Sequence, residues 1–285
     1  MLEMLYTALV SPFLKDGSLD RQGFVCLVRR LYRQGLRGFL VGGTTGEGPN
    51  LSIEEKIWMA KTLHQQFEDV SVMIGVGSNH TGHTLEEIMQ LNEIEGIDAY
   101  LCVTPYYIKP SQNGLYAHFL ACDAISCRPI ILYNIPARTG VRLSVELIER
   151  LLENTERIVG LKQCGRDEQL IFKLKKTHPD FVIYSGDDHR LLQDLYLGAD
   201  GAISVVSQLI GPEVLRLLND FKTGQNLEPL DDYIKMIAKY CFMEASPAPT
   251  KYLLSRLGLI ENVLRLPLVP VSEETAACLD QIKLE

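Results

Sequence analysis

Eight short apolar runs, each closed by Gly, Pro or a polar turn and each followed by a segment of helical spacing, limit this chain to very few folds. They are LYTALV (5–10), GFLVGG (38–43), VSVMIGVG (70–77), DAYLCVTP (98–105), PIILYNIP (129–136), IVGLKQC (158–164), FVIYSG (181–186) and GAISVV (201–206). Runs this apolar read as strands buried on both faces, which requires a parallel sheet covered by helices. Between them, Phe24, Leu27, Val28 and Leu31, then Ile57, Ala60 and Leu63, recur at helical spacing, and Ser52 and Ser144 stand where helix caps belong. Eight βα units fit the closed (β/α)8 TIM barrel, an α/β fold, with an open doubly wound sheet as the alternative.

Past residue 222 the strand pattern stops. LDDYIKMIAKYCFM and TKYLLSRLGLI keep helical periodicity on either side of SPAP. Residues 1–222 are therefore read as the barrel catalytic domain and residues 223–285 as a small C-terminal helical domain.

Charge narrows the partners. The chain carries 28 Lys and Arg against 36 Asp and Glu, a net charge of −8, which gives no attraction to nucleic acid or an anionic membrane. Its seven cysteines are odd in number and never spaced C-x-x-C, so neither a disulfide framework nor a zinc ribbon is indicated. The start, MLEMLYTALVSPFLKDG, has no basic stretch followed by a long apolar one, and a cytoplasmic location is expected.

In a barrel of this kind the chemistry sits at the C-terminal ends of the strands. There the second run offers Thr44 and Thr45, the fourth Tyr106 and Tyr107, the fifth Tyr133 and Arg138, the sixth Lys162 and the seventh Gly186. A lysine inside a buried strand costs several kcal/mol unless it is paired or neutral, and a neutral amine is what Schiff-base chemistry needs. The plainer reading is a strand-end lysine reaching to solvent. GGTTGEGPN lacks both the G-K-[ST] of a P-loop and the G-x-G-x-x-G of a dinucleotide site; it suits a small carboxylate, or is a simple turn. The Tyr133 phenol is placed either to relay protons or to fill the core. Arg138 is either a bidentate carboxylate grip or an ordinary surface arginine. His80 and His83 form H-x-x-H without further ligands nearby, a weak metal signal, and Asp187 and Asp188 read as caps of the next helix.

Taken together, GTTGE (43–47), VTPYY (103–107), YNIPARTG (133–140), GLK (160–162), SGDD (185–188) and GAISV (201–205) resemble, in order and spacing, the dihydrodipicolinate synthase (4-hydroxy-tetrahydrodipicolinate synthase) family. SPAPTKYLLSRLGL followed by LRLPLVPVS resembles that family's C-terminal helical segment. The resemblance implies that Lys162 forms a Schiff base with pyruvate, whose enamine adds to the aldehyde of L-aspartate-4-semialdehyde before cyclisation, in lysine biosynthesis. It implies that Thr44, Tyr133 and Tyr107 relay protons, with Tyr107 supplied by a neighbouring subunit. Thr45, Gly186 and the backbone around Ile203 match the pyruvate pocket, and Arg138 matches the grip on the semialdehyde carboxylate. It further implies a homotetramer with no cofactor and no metal.

Two departures stand out. The family usually reads K-E-A-[ST]-G after its lysine, whereas Gln163, Cys164 and Gly165 follow Lys162, one residue shorter; Ser246 replaces the usual Asn before Pro-x-Pro. The stretch GEGPNLSIEEK, with Gly48, Pro49, Ile53 and Lys56, departs from the effector pocket of lysine-inhibited members, although Asn79 and Tyr106 still match it, and the pocket's acidic residue is approached only by Glu86 with a shifted gap. Weak or absent inhibition by lysine is therefore expected. The rival readings are an N-acetylneuraminate or 2-keto-3-deoxy sugar acid lyase of the same superfamily, against which Arg138 argues, and a catalytically silent binding or scaffold barrel.

Overall fold

The computed structural model describes residues 2–283. Each apolar run forms a strand: β1 (Leu5–Ala8), β2 (Gly38–Val41), β3 (Ser71–Val76), β4 (Ala99–Val103), β5 (Ile130–Asn134), β6 (Ile158–Gln163), β7 (Val182–Ser185) and β8 (Gly201–Ser204). All neighbours pair in parallel. Tyr6 of β1 aligns with Gly38 of β2 on one side and with Ile203 of β8 on the other, so the sheet closes on itself in sequence order. Closure leaves no free edge, and the open doubly wound alternative falls.

The helices are α1 (Arg21–Arg33), α2 (Ile53–Gln66), α3 (Thr81–Asn92), α4 (Gln112–Ile125), the short α5 (Pro136–Thr139), α6 (Val145–Leu152), α7 (Glu168–Thr177), α8 (Leu191–Tyr196) and α9 (Ser207–Phe221). Then come α10 (Glu228–Cys241), α11 (Ala248–Arg256) and α12 (Glu273–Leu279), the C-terminal helical part. Among the described residues no helix is long and apolar enough to cross a membrane.

Side chains alternate across each strand and so build two cores. On β4, Ala99 and Leu101 point into the barrel, while Tyr100 and Cys102 join the layer between strands and helices. Helix α1 shows how that outer layer is held. Phe24, Leu27, Val28 and Leu31 are all fully buried along one stripe, each contributing about 1.5–3 kcal/mol relative to exposure.

The expected caps form. The Ser52 hydroxyl accepts from the Glu55 amide at 3.2 Å while the Ser52 amide donates to Glu55 Oε2 at 3.0 Å, and Ser144 caps α6 through the Leu147 amide. The Asp187–Asp188 expectation fails, because neither carboxylate caps the turn that follows. Asp188 Oδ2 instead accepts from the amides of Val205 and Val206 at 2.9 and 3.1 Å, and Asp187 Oδ2 takes the Gly165 amide. Unpaired amides just past β8 and β6 compete more strongly than a local turn.

The C-terminal helices are tied to the barrel mouth rather than lying apart from it. Arg265 donates to both oxygens of Glu55 at 2.7 and 2.5 Å and to the Asn50 carbonyl at 2.7 Å. Lys251 of α11 donates to Glu47, in the loop after β2, at 2.5 Å, with both side chains wholly buried.

Candidate active site

Strand register sets the centre of the site. Tyr133 of β5 lies beside Lys162 of β6, which lies beside Tyr184 of β7, so the three share one layer of the barrel. Lys162 is only 5% exposed and, among the described residues, makes neither a hydrogen bond nor an ion pair. Its Nζ sits 4.6 Å from the centroid of the Tyr133 ring. An amine in that position is available to react, and the reading in which Lys162 escapes to solvent does not hold.

Tyr133 is equally buried, and its hydroxyl lies 3.5 Å from Thr44 Oγ1. Burial pushes the phenol well above its usual range, with Cys164 adding to the effect and Thr44 and Arg138 opposing it. The hydroxyl therefore stays protonated at neutral pH and can hand a proton on. Thr44 is fixed by its own loop, in which the Glu47 amide donates to the Thr44 carbonyl at 3.1 Å. Glu47 has φ +53°, a left-handed conformation that costs a side-chain-bearing residue about a kcal/mol or more, and its buried bonds to Lys251 and to the Arg265 amide hold it there.

A cavity of about 470 Å³ opens at this end of the barrel, walled by Thr44, Tyr133, Arg138, Tyr106, Lys56 and Glu87. Arg138 projects from α5 and is exposed, free to meet an anion. Lys162 stands off the wall against the Tyr133 ring, and Gly186 is beside it. A Cβ at Gly186 would collide with Cys164 Sγ and come within 2.8 Å of Lys162 Cε, so only glycine leaves the lysine its place. Thr45 is buried, and Ile203 lies wholly within the barrel core, away from the cavity wall; the Asp188 anchor on the amides of Val205 and Val206 holds the strand end next to it. Tyr107 is not brought in. Its ring is 84% exposed, on a residue with φ +72° whose amide donates to the Thr139 carbonyl.

The shortened segment after Lys162 is closed by Gln163 and by Asn134 of β5. Asn134 donates to Gln163 Oε1 at 2.8 Å, the Gln163 amide group donates to the Cys164 carbonyl at 2.8 Å, and Gly165 takes φ +84°. Cys164 was legible only as a motif departure, yet its thiol lies within the barrel, in the same buried cluster as Tyr133. Burial pushes it up to about 12, against the pull of Lys162.

The structure gives two further residues definite roles. The acid facing Lys56 is Glu87, not the exposed Glu86: Lys56 Nζ donates to Glu87 Oε1 at 2.5 Å and to the Gly75 carbonyl at 3.0 Å. His80 caps α3, accepting from the His83 amide at 3.2 Å.

Residues 1–283 match the dihydrodipicolinate synthetase family. The chain belongs to that family. A 4-hydroxy-tetrahydrodipicolinate synthase of Fervidobacterium nodosum is 39% identical over 283 residues, covering 97% of this chain and 95% of that one. Among solved structures, the dihydrodipicolinate synthase of Thermotoga maritima superposes with a TM-score of 0.93 at 35% identity, covering 98% of this chain and 97% of its own. The Acinetobacter baumannii enzyme, crystallised with pyruvate, does so with 0.93 at 34% identity and the same coverage. The barrel supplies the frame, and the chemistry resides in Lys162 and its neighbours.

Proposed function

We propose that the chain condenses pyruvate with L-aspartate-4-semialdehyde to give 4-hydroxy-tetrahydrodipicolinate, the committed step towards diaminopimelate and lysine, and that it works in the cytoplasm as a homotetramer. The observation that carries this reading is the buried, unpaired Lys162 amine against the ring of a protonated Tyr133 in a chain that matches this family throughout.

The Lys162 amine adds to the ketone carbon of pyruvate, and its two protons leave with the ketone oxygen as water, giving the Schiff base. A methyl proton is removed and the imine nitrogen takes up one proton, giving the enamine. Its carbon attacks the aldehyde carbon of the semialdehyde, whose oxygen takes a proton and becomes the product hydroxyl. The semialdehyde's own amine then displaces Lys162, closing the ring and restoring the free enzyme. Tyr133, passing protons through Thr44 and through Tyr107 of a neighbouring subunit, serves these transfers. Thr45, Gly186 and the backbone at Ile203 seat pyruvate, and Arg138 grips the semialdehyde carboxylate. We take residues 1–222 as the catalytic unit and residues 223–285 as the helical unit that braces it.

Borohydride reduction in the presence of pyruvate should trap one adduct per chain, mapping to Lys162 and absent from Lys162→Ala. A coupled assay should show turnover with the semialdehyde and none with N-acetylneuraminate. An adduct at another residue would refute the chemistry, and cleavage of the sugar acid would refute the substrate.

A further inference from the structure

One cluster of reactive side chains takes no part in the chemistry above. Cys102 of β4 points to the outer face of the barrel, and His118 and Cys122, four residues apart on α4, pack onto it from one face of the helix. Their donor atoms all lie within 4.8 Å of one another and all three residues are buried, the one such group among the described residues. His118 Nε2 is 3.9 Å from Cys122 Sγ. Two donors bound to one ion at about 2.0–2.1 Å for nitrogen and about 2.3 Å for sulfur stand nearly this far apart, so a small inward shift brings this pair to bonding distance, and with Cys102 the protein offers three of the four ligands of a tetrahedral ion. The other ring nitrogen, Nδ1, is 3.0 Å from Thr81 Oγ1. With Nδ1–H donating to that hydroxyl, Nε2 keeps its lone pair towards the thiols, the support that metal-bound imidazoles commonly have.

We propose that Cys102, His118 and Cys122 form a binding site for a thiophilic divalent cation, zinc above all. Charge and softness decide the class. Two thiolates and a neutral imidazole cancel the two positive charges of the ion, so the filled site adds no net charge to an apolar layer, and magnesium or calcium would find none of the oxygen donors they require. Binding releases the two thiol protons to solvent and changes no oxidation state. The ion staples α4 to β4, and those two elements bracket residues 104–111, the stretch that carries Tyr106 and Tyr107. Cysteine spacing could not reveal this site, because its ligands come from a strand and a helix and meet only in the folded barrel.

The test is the metal content and cobalt spectrum of protein purified from cells supplied with zinc or cobalt. One ion per chain is expected, with thiolate-to-cobalt charge-transfer absorption in the cobalt form. Both are lost in Cys102→Ser and Cys122→Ser and kept in Cys127→Ser, which alters an exposed thiol. Thr81→Val should weaken zinc binding by about 10–100-fold. Three results would overturn the proposal: zinc in the wild type no higher than in Cys122→Ser, a cobalt form without charge transfer, or a Cys102–Cys122 disulfide in freshly purified protein. Should a serine variant fail to fold, the wild-type cobalt spectrum decides alone.

Discussion

Replacing Lys251 by Met leaves Glu47 a buried carboxylate without its cation. Both side chains are wholly buried, Lys251 Nζ also donates to the Val263 carbonyl at 2.8 Å, and the second Glu47 oxygen takes the Arg265 amide at 3.0 Å. Removing one partner of such a pair costs about 3–5 kcal/mol, so thermal unfolding of Lys251→Met should fall by on the order of 10 °C. The kcat should fall too, because Glu47 holds the loop that presents Thr44. Burial, outweighing the attraction of Glu47, pushes the Lys251 ammonium down to about 8. The pair therefore gives position rather than stability, and Glu47→Gln combined with Lys251→Met should recover most of the lost stability. The pH dependence follows from the same shift. Between about 8 and the ordinary lysine value the unfolded chain holds a proton that the folded chain has released, so stability rises with pH there. The wild type should thus gain on the double variant only above pH 8. Differential scanning calorimetry across that range is the assay. A single variant as stable as wild type, or a double variant no better than the single, would refute the argument.

Tyr133→Phe should lower kcat by about 10²-fold or more while pyruvate trapping at Lys162 persists, since a relay acts in proton transfer rather than in binding; steady-state kinetics near wild type would remove Tyr133 from the relay. Arg138→Ala should raise KM for the semialdehyde and leave pyruvate trapping intact, and unchanged semialdehyde kinetics would remove the case for the grip. L-Lysine should inhibit weakly or not at all, because Lys56 already occupies Glu87 and the Gly75 carbonyl, the acceptors an incoming ammonium would need; half-inhibition below about 1 mM, an affinity of roughly 4 kcal/mol or better, would contradict this.

What could be read without coordinates follows from period and position. Strands buried on both faces announce themselves as unbroken apolar runs, and a barrel assigns reactive groups to strand ends, so Lys162, Tyr133 and Thr44 were within reach before the fold was known. The residues that hold them were not. Glu47 and Lys251 are 204 positions apart, and nothing near either one marks a buried pair. Asp188 looked like a local cap because local spacing was all there was to judge by, yet its carboxylate serves amides 17 and 18 positions on. There a local partner gave way to one that only closure of the barrel supplies. The chemistry of this site is therefore written in short motifs, while its geometry depends on contacts that cross the whole chain. Lys251→Met tests that division directly, since it leaves all six strand-end motifs untouched and should still slow the reaction.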